Sequence, residues 1–249
     1  CLLIGERKMM PARERLIVAL DIDSEREAER LLDALKGLIK IFKIGAQPFT
    51  AFGPKIVELV HKKGGKVFLD LKYHDIPDTV ARAAREAARL GVFMFNVHSL
   101  GGMDMMKKCF EASCETAEKE GLQRPKVLAV TLLTSITLEA LHNEIGIKSK
   151  SMEDEVKRLA SMASDAGLDG VVSSPQEIKA VREICGKDFL IVTPGVRPVG
   201  SKMDDQKRIS IPKEAIKAGA DYIVIGRPII KADDPAKAAE GIINEMEER

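Results

Sequence analysis

A single (β/α)8 TIM barrel, an α/β fold, is predicted for this 249-residue chain by three observations. Short apolar runs of strand composition alternate with amphipathic stretches of helical period, the pattern of parallel strands joined by crossover helices. Eight such units are present, the number that closes a barrel of this kind. No G-x-G-x-x-G follows the first strand, which removes the main support for the alternative, a doubly wound open sheet.

The strand candidates start near Leu16, Ile39, Lys66, Val92, Lys126, Gly170, Phe189 and Asp221. After the first, Ser24 with Glu27 three residues on reads as a helix start. Ala28, Leu31, Leu32 and Leu35 then fall at i, i+3, i+4 and i+7, one apolar stripe to lie against the sheet, and Gly37 is the expected stop. Val156, Leu159, Ala160 and Ala163 repeat that stripe, and Ser174-Pro175 with Glu177 repeats the start signal. No linker or low-complexity segment divides the chain, so residues 11–249 are expected to form one catalytic domain. Residues 1–10 lack the apolar stretch and cleavage site of a signal peptide and are expected to be a disordered or vector-derived extension.

The composition, 45% hydrophobic and 31% charged, suits one sizeable core. The 39 basic and 38 acidic residues are spread along the chain and leave a net charge of +1, so no footprint for nucleic acid or an anionic membrane is expected. The longest apolar runs, such as Leu16 to Leu20 and Tyr222 to Ile225, are far shorter than the ~20 residues of a membrane span. Cys1, Cys109, Cys114 and Cys185 form no C-x-x-C pair and are expected as reduced thiols in a cytoplasm. These traits favour a small-molecule ligand.

In a barrel of this type the functional side chains stand at the carboxyl ends of the strands. The first strand runs into Asp21, the second into Lys43, and the third reads Phe68-Leu-Asp-Leu-Lys-Tyr-His-Asp. Side chains alternate across a strand, so Asp70 and Lys72 share one face, and they point into the barrel if Leu69 and Leu71 meet the helices. A buried carboxylate and ammonium are costly unless paired, and an isolated D-x-K is as readily a mouth salt bridge as a catalytic group. Asp21, Lys43, Asp70, Lys72 and Asp75 converging on one mouth favour a functional reading.

Thr193-Pro-Gly-Val-Arg-Pro follows the seventh strand and Ile225-Gly-Arg-Pro the eighth, the places where many barrels bind phosphate. Gly226 lets backbone N–H groups approach an anion, and Arg197 and Arg227 offer forked donors. Each Gly-Arg alone is weak, since such turns are common; together they predict a phosphorylated ligand. His61, His74, His98 and His142 are scattered without metal-ligand spacing. His61 is expected on a helix surface, His98 as a strand-end hydrogen bonder, and Met103, Met105 and Met106 as packing residues.

Asp70-Leu-Lys-Tyr-His-Asp-Ile-Pro-Asp-Thr79 resembles the D-x-K-x-x-D signature of the orotidine 5′-phosphate decarboxylases. Val18-Ala-Leu-Asp21, Lys43-Ile-Gly, Asn96-Val-His, Leu133-Thr-Ser, Gly167-Leu-Asp-Gly-Val-Val, Thr193-Pro-Gly-Val-Arg-Pro, Asp205-Gln-Lys-Arg-Ile and Val224-Ile-Gly-Arg-Pro follow in family order, so the resemblance covers nearly all of residues 11–249. It implies conversion of orotidine 5′-phosphate to uridine 5′-phosphate and carbon dioxide without metal or other cofactor. It makes Lys72 the proton donor in a network of Lys43, Asp70 and Lys72, joined by Asp75 of a second subunit in a homodimer. It gives the ribose to Asp21 and Lys43, contributions from the second chain to Ile76 and Thr79, the pyrimidine to Thr134, and the phosphate to Arg197, Gln206, Gly226 and Arg227.

Asp78 departs from the pattern, which has Asn there, and puts the geometry of the substrate loop in question. Sugar-phosphate lyases of the same superfamily share D-x-K-x-x-D but need magnesium and place an acid where this chain has Lys43, so Lys43 argues against them. A non-catalytic nucleotide-phosphate sensor would need the phosphate loops but not Lys72.

Overall fold

The computed structural model describes residues 10–198 and 210–247. Its strands are β1 Leu16–Ala19, β2 Ile41–Gly45, β3 Lys66–Tyr73, β4 Met94–His98, β5 Lys126–Val130, β6 Gly170–Val172, β7 Leu190–Thr193 and β8 Tyr222–Ile225. All pair in parallel with their sequence neighbours, and β1 pairs β8 with Leu16 opposite Ile223, closing the barrel. Four strands start where the sequence predicts. The other four begin one or two residues later than Ile39, Val92, Phe189 and Asp221. Such shifts are ordinary at element ends, and Phe93 already bonds to Val67 and Lys126 through its backbone.

The two-residue period of the strands separates two cores. Ile17, Phe68, Met94, Leu128, Val192 and Tyr222 fill the barrel interior. Val18, Ile44, Leu69, Phe95, Val171 and Ile223 face outward against the helices. In the helix Glu25–Ala34, Ser24 Oγ accepts from Glu27 N, and Ala28, Leu31 and Leu32 are buried. That helix stops before Leu35, and Gly37 turns the chain at a φ of 79°. Ser174 and Glu177 form the expected reciprocal cap, through a single 3-10 turn that leads into the helix Ile178–Cys185.

Two aspartates brace the amino-terminal end of the barrel. Asp169, just before β6, accepts from the N–H of Val127 on β5 and pairs with Arg124 at 2.6 and 2.7 Å. Asp221, just before β8, accepts from the N–H of Ile191 on β7 and from Arg182. Arg15, just ahead of β1, donates to the carbonyls of Ala220 and Asp221. Met10, the last position of the expected extension, packs against the inner core beside Tyr222. Residues 1–9 lie outside the described residues.

Met105 and Met106 are buried as packing residues, but Met103 on the same helix is exposed. A helix presents only part of its surface to the barrel, and position 103 falls outside that part. His61 is half-buried in the last turn of the helix Lys55–Lys62, and burial holds its pKa below the usual value.

Candidate active site

The carboxyl mouth holds the charged residues of the first three strands. Phe68 belongs to the interior core, and Asp70 follows it on the same face, buried to 9% exposure. Lys43 Nζ lies 3.5 Å from Asp21 Oδ1 and 3.4 Å from Asp70 Oδ2, while Lys72 Nζ donates to Asp70 Oδ1 at 2.8 Å. The result is one alternating chain, Asp21, Lys43, Asp70, Lys72, in which each buried charge meets its opposite. Pairing offsets a desolvation cost of roughly several kcal/mol per ion. Both ends of the chain are open, with side-chain exposures of 54% for Asp21 and 38% for Lys72, while Lys43 and Asp70 between them are at 15% and 12%.

β3 is not regular where it carries this chemistry. Its register against β4 shifts between Leu69 and Tyr73, and Lys72 has a φ of 52°, the only positive value at a non-glycine among the described residues. A left-handed conformation costs an L-residue roughly 1–2 kcal/mol, and such outliers collect at functional sites. Asn96 on β4, fully buried, accepts from Lys72 N through Oδ1 and donates to Asp70 Oδ1 through Nδ2. The motif-based reading assigned Asn96 no role.

A cavity of about 350 Å³ opens over this network, the size of a small-ligand site. Asp21, Lys43, Asp70 and Lys72 form one wall. Thr134 and Ser135 come from the loop after β5, and Arg197, Gly226 and Arg227 come from the loops after β7 and β8. Gly195 turns the β7 loop at a φ of 78°, and the Arg197 N–H donates to Ser210 O. Space at Gly226 is tight: a Cβ there would stand 3.2 Å from Ala19 Cβ and 3.4 Å from Asp21 Oδ2, so a side chain would press on the first strand.

Asp75, Ile76 and Thr79 are exposed and do not line this cavity. Asp75 Oδ1 accepts from Ile76 N, and Ile76 is 67% exposed, the most open of the large apolar side chains described. Asp78 stands in the first turn of the helix Pro77–Arg89, 3.5 Å from Lys108 Nζ on the next helix. A carboxylate is favoured at that helix end, which gives this departure from Asn a local reason. Gln206 lies outside the described residues. His98 ends β4 and accepts from Leu100 N, and its ring stacks on His74 with centroids 5.5 Å apart. Burial first, then His74 and Lys72 nearby, pull its pKa down to about 4. Among the described residues no group of three or more His, Cys, Asp or Glu side chains is placed to hold a metal ion.

A closed α/β barrel whose mouth joins a lysine–aspartate network to two arginine-bearing loops has the layout of barrel enzymes that act on phosphorylated small molecules. Within that class, the chain belongs to the orotidine 5′-phosphate decarboxylase / HUMPS family, whose model matches residues 14–242. It is 54% identical over 237 residues to the orotidine 5′-phosphate decarboxylase of Geotalea daltonii, covering 94% of this chain and 97% of that one. The corresponding figures for the enzyme of Syntrophomonas wolfei are 51% over 239 residues, 96% and 100%. The crystal structure of orotidine 5′-phosphate decarboxylase from Lactobacillus acidophilus matches with a TM-score of 0.82 at 39% identity, covering 94% of this chain and all of that one. An uncharacterized conserved protein from Geobacillus kaustophilus matches with the same TM-score at 38% identity, covering 93% of this chain and 99% of that one.

Proposed function

We propose that this protein decarboxylates orotidine 5′-phosphate to uridine 5′-phosphate, the last step of de novo pyrimidine nucleotide synthesis. The observation that carries this reading is the chain of charges ending in the Lys72 ammonium at the cavity, with Arg197 and Arg227 on other walls of the same cavity. Family membership and the names of the relatives support it.

The bond from C6 of the pyrimidine to its carboxylate breaks, its electron pair stays on C6, and carbon dioxide departs. The proton on Lys72 Nζ then passes to C6, and Lys72 regains a proton from solvent. A lysine cation beside C6 attracts the developing negative charge more strongly than it attracts the ground state, which is the condition for lowering the barrier. Asp70 would repel the substrate carboxylate, by ~4 kcal/mol for charges ~4 Å apart at an effective dielectric of 20. Departure of carbon dioxide relieves that repulsion. Lys43 keeps Asp70 compensated, and with Asp21 it faces the ribose; Thr134 meets the pyrimidine. Arg197, Gly226, Arg227 and Gln206 take the phosphate, whose binding energy, remote from C6, is available to stabilise the transition state.

The same reading makes the protein a homodimer in which Asp75, Ile76 and Thr79 of each chain complete the other's site. Their exposure outside their own cavity supports it. Reaction in the cytoplasm belongs to this reading too, and the free thiols of Cys109, Cys114 and Cys185 suit a reducing compartment. No helix among the described residues is long and apolar enough to cross a membrane.

The test is the ultraviolet absorbance change of orotidine 5′-phosphate on mixing with the protein, with and without exhaustive chelation. Equal turnover in both arms is expected. No turnover, or a chelated, inactive protein restored by magnesium, overturns the reading, the latter in favour of a magnesium-dependent sugar-phosphate lyase.

A further inference from the structure

Asn96 lies on the inner face of β4, two residues from Met94 in the barrel core, and is fully buried. Opposite it β3 bulges. Leu69 stands across from Phe95 and Tyr73 across from Val97, so Asp70, Leu71 and Lys72 share the one position that Asn96 occupies. A bulge leaves backbone groups without ladder partners, and a buried N–H must find another acceptor. The Asn96 side chain supplies it: Oδ1 accepts from Lys72 N at 2.8 Å. That fixes the amide's orientation, since the reverse would oppose two donors, and it turns Nδ2 toward Asp70 Oδ1 at 2.7 Å. The same carboxylate oxygen takes the Lys72 ammonium at 2.8 Å. One neutral amide therefore grips both the backbone of Lys72 and the carboxylate that steers its side chain.

We propose that Asn96 is a positioning residue for the decarboxylation, holding Lys72 in its left-handed conformation and Asp70 as an ionised acceptor, so that the ammonium stands at the reacting carbon. This rests on the activity proposed above. A residue that merely filled the bulge would act on stability alone, and two variants separate the cases.

Asn96→Ala removes both bonds. Its kcat should fall on the order of 100-fold, while binding of uridine 5′-phosphate, held by the distant arginine loops, stays within about threefold of wild type. Asn96→Asp keeps the shape and the acceptor for Lys72 N. Ionised, it sets a second carboxylate against Asp70; protonated, its O–H replaces the lost amide donor. The new acid would face Asp70 and Lys72 of β3, with Lys43 of β2 beyond and His98 along its own strand. Its activity should rise about tenfold or more on acidification through an ionisation absent from the wild-type profile.

Wild type without turnover would overturn the proposed activity and this inference with it. With wild type active, a kcat for Asn96→Ala within about threefold of wild type, nucleotide binding lost in step with kcat, or an Asn96→Asp pH profile parallel to wild type would overturn this inference alone. So would failure of both variants to fold, judged by circular dichroism, which would make Asn96 a residue of the fold only.

Discussion

Lys72 holds a backbone conformation that suits glycine better than lysine, and this separates its chemical role from its structural cost. Replacing it with Ala should abolish decarboxylation but spare binding of uridine 5′-phosphate. More than about a tenth of wild-type turnover in that variant, a barrier change under ~1.4 kcal/mol, would mean Lys72 is not the proton donor. Lys72→Gly should be equally inactive but relieve the strained φ, offset in part by a more flexible unfolded chain, so it should melt about 1–3 °C above Lys72→Ala. Calorimetry that ranks the two the other way would show that position 72 carries no strain. Lys43, Asp70 and Lys72 were legible in the sequence because strand ends and two-residue alternation place them. Neither the bulge nor Asn96 was, since alternation describes a regular strand and the amide reaches Asp70 across 26 positions of chain.

The loops after β7 and β8 come from the far end of the sequence yet share one cavity with β1 to β3, because closure puts β8 beside β1. Removing the Arg227 fork with Ala should cost roughly 1.5–3 kcal/mol in kcat/KM for orotidine 5′-phosphate, the range for a charged hydrogen bond. Orotidine lacking the phosphate should be nearly indifferent to that change. Kinetics showing equal losses for both substrates would remove Arg227 from the phosphate site. The elements themselves were readable, since apolar runs and the Ser24 and Ser174 caps have local causes. The Asp169 and Asp221 braces were not. Each joins a residue ahead of one strand to the N–H of the preceding strand, a pairing fixed only by the closed barrel.

A shared-site dimer makes a prediction that no monomeric enzyme could meet. Chains carrying Lys72→Ala and chains carrying Asp75→Ala should each be nearly inactive alone, because each dimer then lacks the same group twice. A mixed dimer gathers both lesions into one site and leaves the other whole. After random re-association half the dimers are mixed, so about a quarter of all sites should work in a twofold, isologous pair. No recovery despite demonstrated subunit exchange would mean Asp75 serves its own chain. The seam between β1 and β8 has another consequence. Arg15 and its acceptor Asp221 are 206 positions apart, so the ribosome makes one edge of this seam long before the other. At ~5–20 residues per second the first strand waits on the order of 10 to 40 s with no neighbour on that side, its N–H and C=O groups open to any extended segment nearby. Aggregation during expression should therefore depend on how long that wait lasts, in variants whose finished barrels are equally stable.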